Sequence, residues 1–334
     1  MAGPRGAASP LLVALAHWDL PPVKSVERIG GEDHVFKVRT DGPTMILKDL
    51  GVSPPDHRRL EIVQGVLDHV ASRAVQVAIP VRARSGRIVA QSEGRHFLVL
   101  EYIEAGESPD DPGLSGELYH QAGLAIAELH DALASYPEDG VRDEIRREDM
   151  ARGVAAWLSL LRDGLPEHQS RVVSRVEQER GAKMVEALSG LPEQLIHRDC
   201  HPGNVLVDGV RVVAFIDCDH ICIASPVLDL ATFAAQRVKR RTSEEDRHAW
   251  LRDLPRLLDG YRSRRGLSAP EVSALPYMMM AFHIMLSHWF MSTSRMHCIQ
   301  LDIDALSWIH EHFEGIEDSI ASGHPPHTQS RGER

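Results

Sequence analysis

The sequence has no apolar run near the ~20 residues that a membrane helix requires, so no membrane span is expected. Positive charge is short. Lys and Arg number 37 against 48 Asp and Glu, a net charge of −11 that speaks against a general nucleic-acid binder. Cysteine is scarce as well: Cys200, Cys218, Cys222 and Cys298 are too few and too unevenly spaced for a disulfide scaffold. Cys218 and Cys222 bracket Asp219, His220 and Ile221, so a thiolate metal site with His220 is conceivable. Reduced, buried thiols in a cytoplasmic protein are the plainer expectation. Also missing are the G-x-x-x-x-G-K-[ST] loop, a G-x-G-x-x-G between strand and helix, and the G-x-S-x-G elbow. Nothing among the 48 acids selects a glycosidase pair. The first twenty residues imitate a signal peptide, but His17 and Asp19 soon interrupt the apolar stretch. A helix over about 9–18 is expected instead, with Ser9 as cap, Pro10 in the first turn, and Leu11, Leu12, Leu15 and Trp18 following.

What is present has two characters. The first hundred residues hold β-rich runs, "VERIGGEDHVFKVRT", "PTMILKD", "GRIVAQ" and "HFLVLEYI", divided by Gly, Asp and Pro. One helix interrupts them, capped by Asp56 and carrying Leu60, Val63, Leu67 and Val70 on one side. Beyond Gly106 long helical patterns take over, among them one continuous stretch over 169–191. Short strands are expected near residues 195 and 212, helices to about 320, and a polar, disordered tail over 321–334. The expected organisation is therefore a lobe over 1–103 and a helical lobe over 104–320. A connection near 101–106 suggests a ligand cleft at the junction.

The chemistry-bearing stretch is "LIHRDCHPGNVLV", residues 195 to 207. His197-x-Asp199-x4-Asn204 is followed by Asp217 at the end of the apolar run "RVVAFID". Three short oxygen-bearing side chains at strand ends can gather around a hard cation such as Mg²⁺. Asp-x4-Asn alone is a weak signal, and the full set with Ile-Asp thirteen residues on is a strong one.

"HRDCHPGNVLV", "VAFIDCD" and "PVLDLA" together resemble the catalytic core of the aminoglycoside phosphotransferase family, within the protein-kinase-like fold. Relatives there include homoserine, choline and amino-sugar kinases. The resemblance implies an α+β bilobal fold, with a small antiparallel sheet lobe and a larger, mainly helical one. It implies transfer of phosphate from ATP, or GTP, to a hydroxyl, with Mg²⁺ as the metal. Carried over by position, Asp199 is the catalytic carboxylate, Asn204 and Asp217 are the metal ligands, and Asp229 buttresses the loop. His197 and His201 are expected to hold the loop rather than react, since Asp199 already fills the base role.

In the first lobe, "IGGEDHVFKV" resembles the glycine hairpin over the nucleotide, with Gly30 and Gly31 admitting phosphate. Lys48 in "MILKDL" would meet the α- and β-phosphates, with Glu61, thirteen residues later, as its acidic partner. "FLVLEYIEAGES" resembles the interlobe hinge, where adenine would bond the backbone near Glu101 and Ile103. Three letters depart from the family pattern. Arg198 stands where Gly is usual, His34 where Asn is common, and Cys200 where Leu or Phe is common. Only eleven residues separate Asp217 from Asp229, which leaves little room for an activation segment, so Arg198 is expected to be a structural or substrate-side charge.

For the acceptor, the Met-rich stretch 275–298 is expected to be core, with some of it a candidate pocket lining. Arg237, Lys239, Arg240 and Arg241 are expected on a solvated helix face. A small-molecule hydroxyl acceptor is the first expectation. A Ser/Thr peptide with a partner protein is the second, and a dead nucleotide-binding scaffold the third.

Overall fold

A computed structural model of the chain describes residues 10–29, 34–106, 116–137, 144–241 and 243–322. Contacts divide it into two compact units, with the boundary between Glu104 and Ala105.

In the first unit, helix α1 (Pro10–Leu15) precedes strands β1 (Val23–Arg28), β2 (Val35–Thr40) and β3 (Met45–Gly51). Helix α2 (His57–Ser72) and strands β4 (Pro80–Val81), β5 (Val89–Ser92) and β6 (Arg95–Glu101) follow. The strands form one antiparallel sheet in the order β1-β2-β3-β6-β4, with β5 also on β6. Helix α1 is shorter than the sequence suggested, because tight turns at His17 and Trp18 replace its last helical bonds. Trp18 is nonetheless buried, and its Nε1–H donates to the Val81 carbonyl at 2.8 Å.

Alternation along β3 sorts its side chains onto two faces. Met45 and Leu47 join the cluster of Trp18, Phe97 and Val99, whereas Ile46 and Leu50 pack with Leu98, Leu100 and Leu60 of α2. Lys48 stands between Ile46 and Leu50 in this alternation, so it shares the face that α2 covers. Helix α2 begins where Asp56 accepts a hydrogen bond from the Arg59 N–H.

In the second unit, helices α3 (Gly116–Ala134), α4 (Met150–Gly164), α5 (Glu167–Val176) and α6 (Ala182–Leu188) lead to a compact β region. There β7 (Gln194–Ile196), β8 (Val205–Asp208), β9 (Arg211–Phe215) and β10 (Cys222–Ala224) pair as two antiparallel ribbons, β7 with β10 and β8 with β9. Helices α7 (Val227–Lys239), α8 (Glu244–Arg262), α9 (Ala269–Ser292), α10 (Ile299–Glu311) and α11 (Phe313–Ser322) complete the unit.

The helix expected over 169–191 is present as α5 and α6, which run on through a π-helical turn at Glu177–Gly181. The middle of α9 is largely enclosed, with Met278, Met279, Met280 and Met285 buried, while its two ends reach the surface, where Trp289 is exposed. The basic cluster meets the solvated face expected of it at Arg240, which is exposed, but departs from it at Arg237 and Lys239. Arg237 is buried with its Nε–H on the Tyr119 hydroxyl at 2.6 Å, and Lys239 pairs with the buried Asp302 carboxylate at 2.8 Å. Among the described residues no helix is long and apolar enough to cross a membrane.

Candidate active site

The loop between β7 and β8 is held from beneath by one carboxylate. Asp229, in the first turn of α7, is fully buried, which an ionised group tolerates only when its oxygens are satisfied. Its Oδ2 accepts from the His197 N–H at 2.9 Å and its Oδ1 from the Arg198 N–H at 2.7 Å. A carboxylate only accepts, so His130 of α3 donates Nε2–H to Oδ2 at 3.0 Å, while its Nδ1 meets the Tyr261 hydroxyl of α8 at 2.9 Å. Three elements, α3, α7 and α8, therefore fix the backbone that precedes Asp199.

His197 is buried, and its Nε2–H donates to the Ile216 carbonyl at 3.0 Å, tying the loop to the segment that carries Asp217. Burial lowers its pKa, but the Cys218 sulfur at 3.6 Å and the Asp229 and Asp199 carboxylates outweigh this and lift it to about 10. The ring faces Phe215 and the protein interior, not solvent. Cys200, Cys218 and Cys222 are buried free thiols. Burial raises the pKa of Cys200 and pushes that of Cys222 up to about 12, which keeps both protonated and unreactive.

Asp199 and Asn204 meet directly. The Asn204 amide donates to the Asp199 carbonyl at 2.9 Å and to its Oδ2 at 3.0 Å. Both partners are acceptors, so the amide nitrogen is fixed on that side and Oδ1 is the acceptor atom left over. His201 closes the turn by accepting from the Gly203 N–H through Nδ1 at 3.0 Å, and its Nε2 lies 3.8 Å from Asp199 Oδ2. The Ile216 N–H donates to the Asn204 carbonyl at 2.9 Å, which brings Asp217 alongside. Asp217 has φ 59°, a left-handed conformation that turns the chain sharply after β9. The structure thus assembles Asp199, Asn204, Asp217, His197, His201 and Asp229, six residues named from sequence, within one folded unit.

Arg198 also lies in the left-handed region, with φ 70°, which is natural for the Gly of the family pattern and costly for Arg. Its side chain explains the exchange. Nε donates to Glu148 Oε2 at 2.7 Å, and Nη2 lies 3.7 Å from the Met285 sulfur of α9. Glu148 is itself buried and takes a second guanidinium, Arg146, at 3.1 Å. A pocket of about 520 Å³ lies against Glu148, Arg152, Ser225 and Met278, but Asp199, Asn204 and Asp217 do not line it. Met278 is thus the point where the Met-rich helix reaches a pocket wall; Met279 and Met280 stay in the core.

In the first unit Glu61, expected beside Lys48, is bonded to Arg82. Both Glu61 oxygens accept from Arg82, at 3.1 and 2.8 Å, which draws the Glu61 pKa down. Helix α2, which carries Glu61, packs Leu60 on the face of the sheet that Lys48 shares with Ile46 and Leu50. The Glu101 N–H is spent on the Ile79 carbonyl at 3.0 Å, and Ile103 lies just beyond β6 in irregular chain. Lys37 stands over the Tyr102 ring at 3.9 Å beside this segment. Gly30 and Gly31 lie outside the described residues. The sequence did not point to His130, Tyr261 or Glu148. Their partners lie 99, 131 and 50 residues away along the chain, so no local spacing could mark them.

Residues 25–267 match the Phosphotransferase enzyme family. A homoserine kinase of Mesorhizobium japonicum is 27% identical over 267 residues, covering 78% of both chains. A homoserine kinase of Parvibaculum lavamentivorans is 26% identical over 268 residues with the same coverage. Amicoumacin kinase, solved with AMP-PNP, Ca²⁺ and Ami, shares the fold with a TM-score of 0.68 over 92% of both chains at 18% identity. A microcompartment-associated aminopropanol kinase does so with a TM-score of 0.68, covering 93% of this chain and 96% of the other at 22% identity.

Proposed function

The chain belongs to the phosphotransferase enzyme family, and from that membership we propose that it moves the γ-phosphate of ATP or GTP onto the hydroxyl of a small amino alcohol or hydroxy amino acid. The carrying observation is the Asp199 carboxylate. One oxygen is held by the Asn204 amide, yet the side chain keeps 32% exposure, so the other oxygen is left to accept from an incoming hydroxyl. Phosphoryl transfer demands orientation and charge stabilisation more than covalent help, and a pinned carboxylate supplies the first. Asp199 orients the acceptor and takes its proton as the P–O bond forms.

The donor set also suits a hard cation. Asn204 has only its Oδ1 left for a ligand, and Asp217 adds a carboxylate from the adjoining turn. These two residues would hold Mg²⁺, which when bound offsets charge on the phosphate oxygens. Lys48 would meet the nucleotide phosphates, and the Glu101–Ile103 segment its base. The acceptor class rests on the relatives. Homoserine and aminopropanol, named in the kinases above, each join a hydroxyl to an amine on a short carbon chain.

The test is a nucleotide-consumption assay across homoserine, short amino alcohols, amino sugars, aminoglycosides and Ser/Thr peptides, each with ATP or GTP and Mg²⁺. Turnover with one of the first two groups is expected. Turnover confined to peptides or to aminoglycosides overturns the assignment of acceptor class.

A further inference from the structure

Far along the chain from the phosphotransfer loop, two imidazoles and a carboxylate converge where the start of α8 meets the end of α10. Glu244 and His248 are four residues apart on α8, and His312 caps the end of α10. Each offers one ligand atom, and the three atoms lie within 4.8 Å of one another.

Both rings are held by the backbone of their own helices. His248 Nδ1 lies 2.7 Å from the Glu244 carbonyl, and His312 Nδ1 lies 3.0 Å from the Trp308 carbonyl. A carbonyl cannot donate, so both Nδ1 atoms carry hydrogen and the lone pair of each neutral ring falls on Nε2. This is the arrangement in which metal-bound histidines are held, with the second ring nitrogen tied to an oxygen that fixes tautomer and orientation. The His248 nitrogen nearest the Glu244 carboxylate is Nδ1, 3.7 Å from Oε2, so the His248 ring has to turn to bring Nε2 onto a shared ion. The carboxylate is tied too: Trp308 Nε1–H donates to Glu244 Oε2 at 3.0 Å. His312 stacks on the Trp308 indole with centroids 4.2 Å apart, and His248 meets His312 edge-on at 5.6 Å. Ligand atoms at tetrahedral angles with ~2.1 Å bonds sit about 3.4 Å apart, so the group must contract slightly. Glu244 is exposed and can make that adjustment.

We propose that Glu244, His248 and His312 form a binding site for a divalent transition-metal ion of the zinc class, separate from the phosphotransfer machinery. Two imidazoles and one carboxylate are a zinc-type donor set, whereas Mg²⁺ and Ca²⁺ prefer oxygen alone. Three protein ligands leave a fourth position for water. The ion clips α8 to the end of α10, elements whose ligands are more than sixty residues apart in sequence. The site shares no residue with the Cys218–Cys222 pair that the sequence brought to notice, and both of those cysteines are buried and outside any disulfide.

The test titrates the full chain with ZnCl2 against a chromophoric chelator and follows thermal unfolding with zinc and with EDTA. Wild-type protein is expected to take up one equivalent and to melt at a higher temperature with zinc. His248→Ala and His312→Ala are expected to abolish that uptake, and Glu244→Gln to weaken it at least tenfold. Unfolding in EDTA checks that each variant is folded, and His248→Gln replaces His248→Ala if that one is not. No stoichiometric uptake by wild type, or uptake that survives all of these substitutions, overturns the proposal.

Discussion

At the scale of single residues, Arg198 shows how a departure from a family pattern is compensated. A left-handed backbone costs a side chain other than Gly about 1–2 kcal/mol, and the bond to buried Glu148 offsets it. Removing the guanidinium while keeping a Cβ loses the pair and retains the strain. Arg198→Gly is therefore expected to be more stable than Arg198→Ala by about 1 kcal/mol in urea unfolding, the reverse of the usual order for these residues. Equal or inverted midpoints would show that the left-handed conformation carries no strain. His197 yields a pH dependence. Its folded pKa of about 10 lies above the ordinary value near 6.5, so its contribution to stability is complete below about pH 6.5 and is lost as pH rises through about 10. The wild-type minus His197→Asn difference in unfolding free energy is expected to shrink across that window. A difference that is flat or grows with pH contradicts a protonated ring at neutral pH.

At the scale of elements, the support beneath the catalytic loop depends on how closely two helices cross. A Cβ on Gly123 of α3 would overlap the Leu257 carbonyl oxygen of α8, and one on Gly260 would lie 2.7 Å from the His120 carbonyl carbon. That approach brings Tyr261 onto His130, and His130 onto Asp229. Alanine normally gains up to about 1 kcal/mol over glycine inside a helix, but a backbone clash that forces two helices apart costs about 1–3 kcal/mol. Gly260→Ala is thus expected to lower unfolding free energy and to cut turnover, because Tyr261 moves with it. A stabilised, fully active variant would show that the crossing has slack. Elements with a clear period were legible in the sequence, as the Asp56-capped helix shows, whereas the face of β3 that carries Lys48 became visible only from the packing. The π-helical turn between α5 and α6 was not legible either, because one widened turn hardly disturbs a 3.6-residue pattern.

At the scale of the whole molecule, the sequence marked the candidate site residues that lie close together in the chain better than the distant ones that hold them. Asp199, Asn204 and Asp217 share a motif because a tight loop and a hairpin bring them together over eighteen residues. His130, Tyr261 and Glu148 act through long-range contacts that leave no spacing to read, and the bond from Arg82 to Glu61, twenty-one residues apart, is equally invisible in the sequence. The basic stretch around Arg237 misled for the same reason, since burial and pairing are tertiary facts. Asp217→Ala is expected to weaken Mg²⁺-nucleotide binding itself, and unchanged affinity would remove Asp217 from the ligand set. The central claim is that Asp199 acts on the acceptor and not on the nucleotide, and one paired measurement on Asp199→Asn tests it most directly. Turnover with the true acceptor should fall by about 10²–10⁴ while Mg²⁺-nucleotide affinity stays within about twofold of wild type. Retained turnover, or a loss of nucleotide affinity that accounts for the whole defect, would contradict it.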